Sequence, residues 1–360
     1  MTTFVIRRIL QAIPTLFGIS ILVYAIMLAT PGGPVAALTF SPTVTPQERA
    51  ALAAQLGVND PFHIQYLRWL LGDDWMRFDS DGDGVADTAY LIPLDADGDG
   101  EPEPPGTRRG ILRGDFGSSF FHGKRHVIDV IFERLGATLE LGVASLVVGL
   151  TIGIPVGVLA AVNRGGPFDN FTRIVSVIFN AFPVFWLGLI LLLIFGGTGL
   201  GLLPMGNRCG LVLVGGCPPL YERLEYLVLP TFVIAAGFLA VYSRFMRASV
   251  LDVGTQDYIR TARAKGLSGR MVWFRHGLRN ALIPIATLLG PSVTGVLSGA
   301  VVTENIFSWP GVGRLAVSSL QQRDYPTVMA IVMLASITTI IGYLLSDILY
   351  ALIDPRIRLR

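Results

Sequence analysis

Two acidic runs carry the clearest capacity for chemistry in this chain. They read Asp79-Ser80-Asp81-Gly82-Asp83-Gly84-Val85-Ala86-Asp87 and Asp95-Ala96-Asp97-Gly98-Asp99-Gly100-Glu101-Pro102-Glu103. Oxygen ligands at alternate positions converge on one hard cation, and the glycine after the third ligand permits the sharp turn of a calcium loop. The spacing nominates Asp79, Asp81, Asp83, the Val85 carbonyl and Asp87 for one ion, and Asp95, Asp97, Asp99 and Glu101 for another. Tyr90 and Gly106 stand where the bidentate glutamate of a full loop would close each shell. The expected affinity is therefore weak, of about millimolar order, and the expected role of the ion is to staple an inserted hairpin. A solvated acidic loop without an ion is the other reading, the usual one for acidic runs. Other chemistry has little support. Gly123-Lys124 is followed by Arg125 without the upstream glycine of a phosphate loop, and the histidines His63, His122, His126 and His276 form no catalytic or metal-binding set.

The elements that carry these residues are set by composition. Of 360 residues 52% are hydrophobic and only 15% charged, with a mean hydropathy of +0.58. Soluble domains carry roughly 25% charge, so this chain cannot cover a water-soluble globule. The same figures exclude a disordered chain, two cysteines exclude a disulfide-rich secreted scaffold, and a net charge of +2 leaves no nucleic-acid footprint. A bilayer core about 30 Å thick needs about 20 apolar residues in a helix. Six charge-poor stretches approach that length: 9–28, 141–162, 174–196, 227–242, 282–303 and 327–346. The first is longer than the apolar core of a cleavable signal peptide and is read as a retained helix.

Lys and Arg in the short loops set the orientation. Arg7 and Arg8, Arg164 and Arg173, the basic stretch 244–281, and Arg356, Arg358 and Arg360 all fall on one side if six spans exist. Both termini are then cytoplasmic, and 29–140, 197–226 and 304–326 lie outside. The acidic insert, 73–106, is on the outer side. So are Cys209 and Cys217, which in an oxidising compartment favour a disulfide. Two free thiols remain the alternative, because spacing alone does not fix bond geometry.

Within the inner segment 244–281, residues 257–265 are good helix formers, and Gly266 can cap or break that helix. The small residues Ala262, Ala264 and Gly266, flanked by Arg260, Arg263 and Lys265, suit close docking against another protein. Attraction to anionic lipid explains the same charges, so the residues alone leave both readings open.

Tyr258-Ile259-Arg260-Thr261-Ala262-Arg263-Ala264-Lys265-Gly266-Leu267, followed by Arg279-Asn280-Ala281-Leu282-Ile283-Pro284, resembles the EAA loop of bacterial ABC importer permeases, in the variant of the dipeptide/oligopeptide/nickel branch. The same branch is matched by Ile6-Arg7-Arg8-Ile9-Leu10-Gln11-Ala12-Ile13-Pro14, Asp115-Phe116-Gly117-Ser118-Ser119, Ala137-Thr138-Leu139-Glu140, Glu304 to Gly313, Arg323-Asp324-Tyr325-Pro326 and Asp347 to Arg356. These matches run in order along nearly the whole chain and are similar to the B-type subunit.

The resemblance implies an all-α polytopic membrane protein of the type I ABC importer fold with six transmembrane helices. Its expected organisation is an N-terminal helix 1–30, an extracytoplasmic segment 31–134, a transmembrane domain 135–354 and a tail 355–360. It further implies a non-enzymatic permease with no intrinsic cofactor, paired with a sister permease in a bacterial or archaeal cytoplasmic membrane. One or two ATP-binding subunits would dock at the loop around 257–275, and a solute-binding protein would deliver di- or oligopeptides to the outer face. Glu304, Phe307, Trp309, Pro310, Gly311 and Gly313 would belong to the gate. Nickel chelates, glutathione-like peptides and sugars are alternative solutes in the branch. Two departures stand out: the acidic insert is foreign to the usual pattern, and Arg260 replaces the glutamate that names the loop. The alternative class is a self-contained secondary transporter or channel with a calcium-binding outer loop. Such proteins bury ionisable groups at mid-membrane, whereas the six stretches as drawn hold none, with Glu140 and Asp347 at their ends.

Overall fold

The computed structural model describes residues 2–30, 61–72, 77–78, 87–90, 109–197, 199–210, 217–298 and 300–353. The described chain is nearly all helix. In order it runs α1 (Thr2–Ala29), α2 (Phe62–Leu71), an antiparallel pair β1 (Arg77–Phe78) and β2 (Asp87–Tyr90), α3 (Val127–Val162), α4 (Pro167–Ala181), α5 (Val184–Phe195), α6 (Leu224–Gly254), α7 (Asp257–Ala264), α8 (Ile283–Ser298), α9 (Val301–Ile306), α10 (Val312–Gln321) and α11 (Tyr325–Ile353).

Five stretches are long and apolar enough to cross a bilayer: Ile6–Ala29, Val127–Val162, Leu224–Gly254, Leu278–Ile306 and Tyr325–Ile348. A sixth exists only if α4 and α5, bent by 103° at the break between them, count as one span. The single helix expected over 174–196 is therefore corrected. Pro183 has no N–H to donate and pushes the residue before it out of the helical region. Phe182 accordingly sits at φ −73°, ψ 128°, and the Pro183 carbonyl starts a new helix by accepting from the Trp186 and Leu187 amides.

The fourth span is corrected too. It continues to Gly254 and takes Arg244 and Arg247, assigned above to a loop, into α6. Arg247 is neutralised by Asp169 of α4, and Arg244 Nε donates to the Ala240 carbonyl at 3.1 Å. Glu304 likewise falls inside the fifth stretch and Glu140 inside the second, so the spans are not free of ionisable groups.

The chain divides into two compact units. The first comprises Met1–Ile13, Arg134–Leu315 and Leu334–Arg360. Here α3 and α6 approach closely because one row of α3 is glycine. A Cβ at Gly149 would strike Phe238, one at Gly153 would lie 3.1 Å from the Tyr242 Cβ, and one at Gly157 would lie 2.6 Å from the Ser243 carbonyl oxygen. This Gly-x-x-x-Gly spacing is the small-residue face that lets membrane helices pack backbone to backbone. Helix α4 is amphipathic in the inverted sense. It buries Asp169 and Ser176 against Arg247 and Ser243 of α6, and exposes Phe171, Ile174 and Val177. Exposed apolar and buried polar faces are what a lipid solvent selects.

The second unit, Pro14–Glu133 and Ala316–Met333, centres on Tyr24, Tyr66, Leu70 and Met329. Its buried Asp324 accepts hydrogen bonds from the Ser119 hydroxyl, the Phe120 amide at 3.1 Å and the Thr327 hydroxyl at 2.8 Å. Two of the motif stretches singled out in the sequence, 115–119 and 323–326, are thereby joined.

Candidate functional site

Two assemblies within the first unit gather the residues selected from the sequence. The first is built on α7. Ile259 and Ala262 face inward, into a core with Tyr242, Met246, Val250, Val272, Ala281 and Ile285. Asp257, Tyr258, Arg260, Thr261, Arg263, Ala264 and Lys265 are exposed. The expected small-residue face is thus split: Ala262 packs into the core, while Ala264 and Gly266 remain on the surface. Gly266 stops the helix at φ +75°, its amide donating to the Arg263 carbonyl at 2.9 Å and the Leu267 amide to the Ala262 carbonyl at 3.4 Å. A residue with a Cβ is strained at that φ, although nothing lies within 4 Å of the position a Cβ would take. Asn280 Nδ2 donates to the Tyr258 hydroxyl at 2.9 Å, tying the two halves of the sequence motif together. Arg260 lies 3.6 Å from the Asp257 carboxylate, both side chains exposed, a pair of little energetic weight. The outcome is a short cationic helix held to the core from beneath and open above.

The second assembly surrounds Glu304. This side chain is completely buried; Thr138 Oγ1 donates to Oε1 at 3.0 Å and the Arg314 amide donates to Oε2 at 2.9 Å. Thr138 Oγ1 also accepts from the Val312 amide at 2.8 Å. The amides of Val312 and Arg314 belong to the first turn of α10, whose N–H groups have no partner inside the helix. Glu304 and Thr138 therefore cap α10 from outside it, and the positive end of the helix offsets the buried carboxylate. Gly311 and Gly313 lie against the Glu304 carboxylate so closely that a Cβ on either would collide with it. Trp309 is fully buried and donates from Nε1 to the Ala137 carbonyl at 2.8 Å, and Phe307, also buried, accepts at its carbonyl from the Asn207 amide at 2.7 Å. Glu304, Trp309, Gly311 and Gly313 thus meet in one place, with Pro310 half-buried before α10, while Phe307 packs separately with Leu229 and Val233.

Several partners of this assembly were not selected from the sequence as site residues: the amides of Asn207, Val312 and Arg314, and Thr138 and the Ala137 carbonyl. The last two lie in the stretch Ala137-Thr138-Leu139-Glu140 that the family resemblance had already marked. Glu140 accepts from two guanidiniums: Arg223 Nη1 at 2.6 Å and Nη2 at 2.9 Å, and Arg208 Nε at 3.0 Å. Arg208 adjoins Cys209, whose Cα lies 5.8 Å from that of Cys217. Next to Glu304 a cavity of about 120 Å³ lies between α3, α6 and α8, walled by Leu141, Ile234, Phe238 and Val296, with Thr138 and Glu304 contributing to its lining.

The residues expected from the sequence to ligate calcium, Asp79, Asp81, Asp83, Val85, Asp95, Asp97, Asp99 and Glu101, lie outside the described residues, and Asp87 is described only as the start of β2. The strands β1 and β2 flank the first acidic run. Among the described residues no group of three or more His, Cys, Asp or Glu is placed to hold a metal ion.

Apolar helices long enough to cross a bilayer, with a short cationic helix exposed beside them, define a polytopic membrane protein. Residues 153–359 match the family model of binding-protein-dependent transport system inner membrane components, and residues 1–79 match the N-terminal model of these membrane components. The chain belongs to the binding-protein-dependent transport system inner membrane component family. It is 38% identical over 357 residues to the oligopeptide transport system permease protein AppB of Bacillus subtilis (strain 168), with 99% of each chain covered. It is 34% identical over 376 residues to the dipeptide transport system permease protein DppB of Escherichia coli (strain K12), again with 99% of each covered. To the glutathione transport system permease protein GsiC of Escherichia coli (strain K12) it is 35% identical over 358 residues, with the same coverage. Among solved structures it is similar to the MetNI methionine ABC transporter in an inward-facing conformation, with a TM-score of 0.48, 19% identity, and coverage of 63% of this chain and 97% of that chain. The chain is an integral membrane protein and a transport permease; the self-contained transporter or channel is not favoured.

Proposed function

We propose that the chain forms half of the translocation path of an ATP-driven importer of di- or oligopeptides. The observation that carries this reading is similarity along the whole chain to permeases named for oligopeptide and dipeptide transport. The sister half is a second permease, the cargo arrives from an extracytoplasmic solute-binding protein, and ATP is bound and hydrolysed by separate subunits. Those subunits dock on the exposed face of α7, from Tyr258 to Leu267. The rigid seating of α7 on Ile259 and Ala262 supports this role, because a docking helix transmits force only if it does not slide on its own core. Both termini and α7 are cytoplasmic. The segment from Glu304 to Gly313 is the outer gate, latched by Thr138 and backed by the loop closed through Cys209 and Cys217.

The acidic insert binds calcium weakly through Asp79, Asp81, Asp83, Val85 and Asp87 and through Asp95, Asp97, Asp99 and Glu101; sequence spacing alone supports this part. Deleting the chain from its host should abolish accumulation of radiolabelled Ala-Ala from medium, and a plasmid copy should restore it. Undiminished accumulation in the deletion strain would remove the peptide reading.

A further inference from the structure

Interiors of proteins are close-packed, and voids larger than a water molecule are few. The cavity between α3, α6 and α8, at about 120 Å³, is therefore a feature to be explained. Its size is close to that of an engineered cavity of about 150 Å³, lined by Leu, Ile and Phe, that stays dry and binds benzene. It has room for one side chain and not for a whole peptide or a lipid tail.

Its chemistry is decided by what the polar residues in the lining have left to offer. Glu304 would suggest a cationic ligand, but its two oxygens are engaged by Thr138 and by the Arg314 amide, and glycines press on its carboxylate. The hydroxyl of Thr138 is likewise committed, to Glu304 and to the Val312 amide. What remains to meet a ligand is the apolar surface of Leu141, Ile234, Phe238 and Val296. Gly295 adds the opening. It lines the cavity, is exposed, and a Cβ built on it meets nothing within 4 Å.

We infer that this cavity is a subsite for one apolar side chain of the transported peptide, entered past Gly295 and set directly against the gate. The inference rests on the peptide reading above and adds a place and a preference to it. Thr138 and Glu304 wall the subsite and also hold the first turn of α10, so a side chain that fills the cavity presses on the same two residues that keep the gate segment seated. Occupancy of the subsite and position of the gate are thereby linked through a shared wall.

The test compares cargo within one preparation, so that differences in the amount of folded importer cancel. The complete importer, containing the wild-type chain, Gly295→Leu or Ile234→Ala, is reconstituted in vesicles with ATP inside, and uptake of Ala-Ala, Leu-Leu and Phe-Phe is measured. Gly295→Leu fills the cavity and should lower the Leu-Leu to Ala-Ala ratio at least fivefold. Ile234→Ala enlarges it and should raise the ratio of Phe-Phe to Leu-Leu at least twofold. Ratios equal in the three proteins would overturn the subsite, as would be seen if the void were only a lipid-side crevice. A wild-type importer that takes up none of these dipeptides would overturn the peptide reading along with it.

Discussion

The ion pair between Asp169 and Arg247 offers the sharpest perturbation of the fold. Asp169 opens α4 and its side chain is only 1% exposed, whereas Arg247, on α6, is 22% exposed. The guanidinium forks onto both carboxylate oxygens, with Nη2 to Oδ2 at 2.7 Å, and the Gly165 amide adds a hydrogen bond to Oδ2 at 2.9 Å. Removing one partner of a buried pair costs roughly 3–5 kcal/mol, mostly because the other charge stays buried and unpaired. The two single changes should therefore differ. Arg247→Met strands the more deeply buried charge and should cost about 4 kcal/mol, near the middle of that range. Asp169→Asn leaves a cation that reaches water, and an amide oxygen that still accepts from Gly165, so it should cost about 2–3 kcal/mol, at or below the lower edge. The double variant removes both charges and should be less destabilised than the sum by about 2 kcal/mol, within the usual coupling range for residues in contact. Denaturant unfolding of the purified chain in detergent, followed by tryptophan fluorescence, measures all four corners of the cycle. Single-variant effects that add to within about 0.5 kcal/mol, the margin for independent sites, would refute a pair that joins α4 to α6. So would a greater loss in Asp169→Asn than in Arg247→Met.

Further outcomes bear on other parts of the structure. Gly266→Asn should keep substrate-stimulated ATPase activity, because asparagine adopts a positive φ, whereas Gly266→Val should lose it at a local strain of about 1–2 kcal/mol while remaining inserted. Gly153→Leu wedges α3 from α6 and should sharply lower the unfolding midpoint; an unchanged midpoint would contradict the close approach of these helices. Mass mapping without reductant should recover one cross-linked product containing Cys209 and Cys217, and quantitative alkylation of both thiols beforehand would exclude the bond. Residues 73–106 should gain protease resistance in millimolar calcium and lose it on chelation, with no difference in Asp81→Ala/Asp97→Ala. Equal protection in all cases would leave the insert as solvated charge.

Much of the membrane architecture was legible because run length is a local property. Residues 141–162 and 327–346 are apolar over the distance a bilayer requires, and the helices found there only extend further. The cap at Gly266 was legible for the same reason, since a glycine after good helix formers signals a stop within a few residues. What was missed depends on partners distant in sequence. Arg247 looked like a loop residue because its neutralising partner, Asp169, lies 78 positions earlier, and a window along the chain cannot see that pairing. Glu304 looked like a loop residue too; its burial rests on Thr138, 166 positions away, and on the amides of a helix that begins after it. The bend at Pro183 is different. The signal was present in the sequence, and apolar run length outweighed it. The Gly149-x-x-x-Gly153-x-x-x-Gly157 row was also readable and marks the face of α3 that receives α6.

Vesicles holding the chain with its sister permease and ATP-binding subunits, supplied outside with the solute-binding protein and labelled Ala-Ala, test the central claim most directly. Uptake should require ATP inside, should be insensitive to collapse of proton and sodium gradients, and should vanish when the stop after α7 is altered by Gly266→Val. Uptake by the chain alone, driven by an ion gradient without ATP, would contradict the assignment as a coupled importer permease.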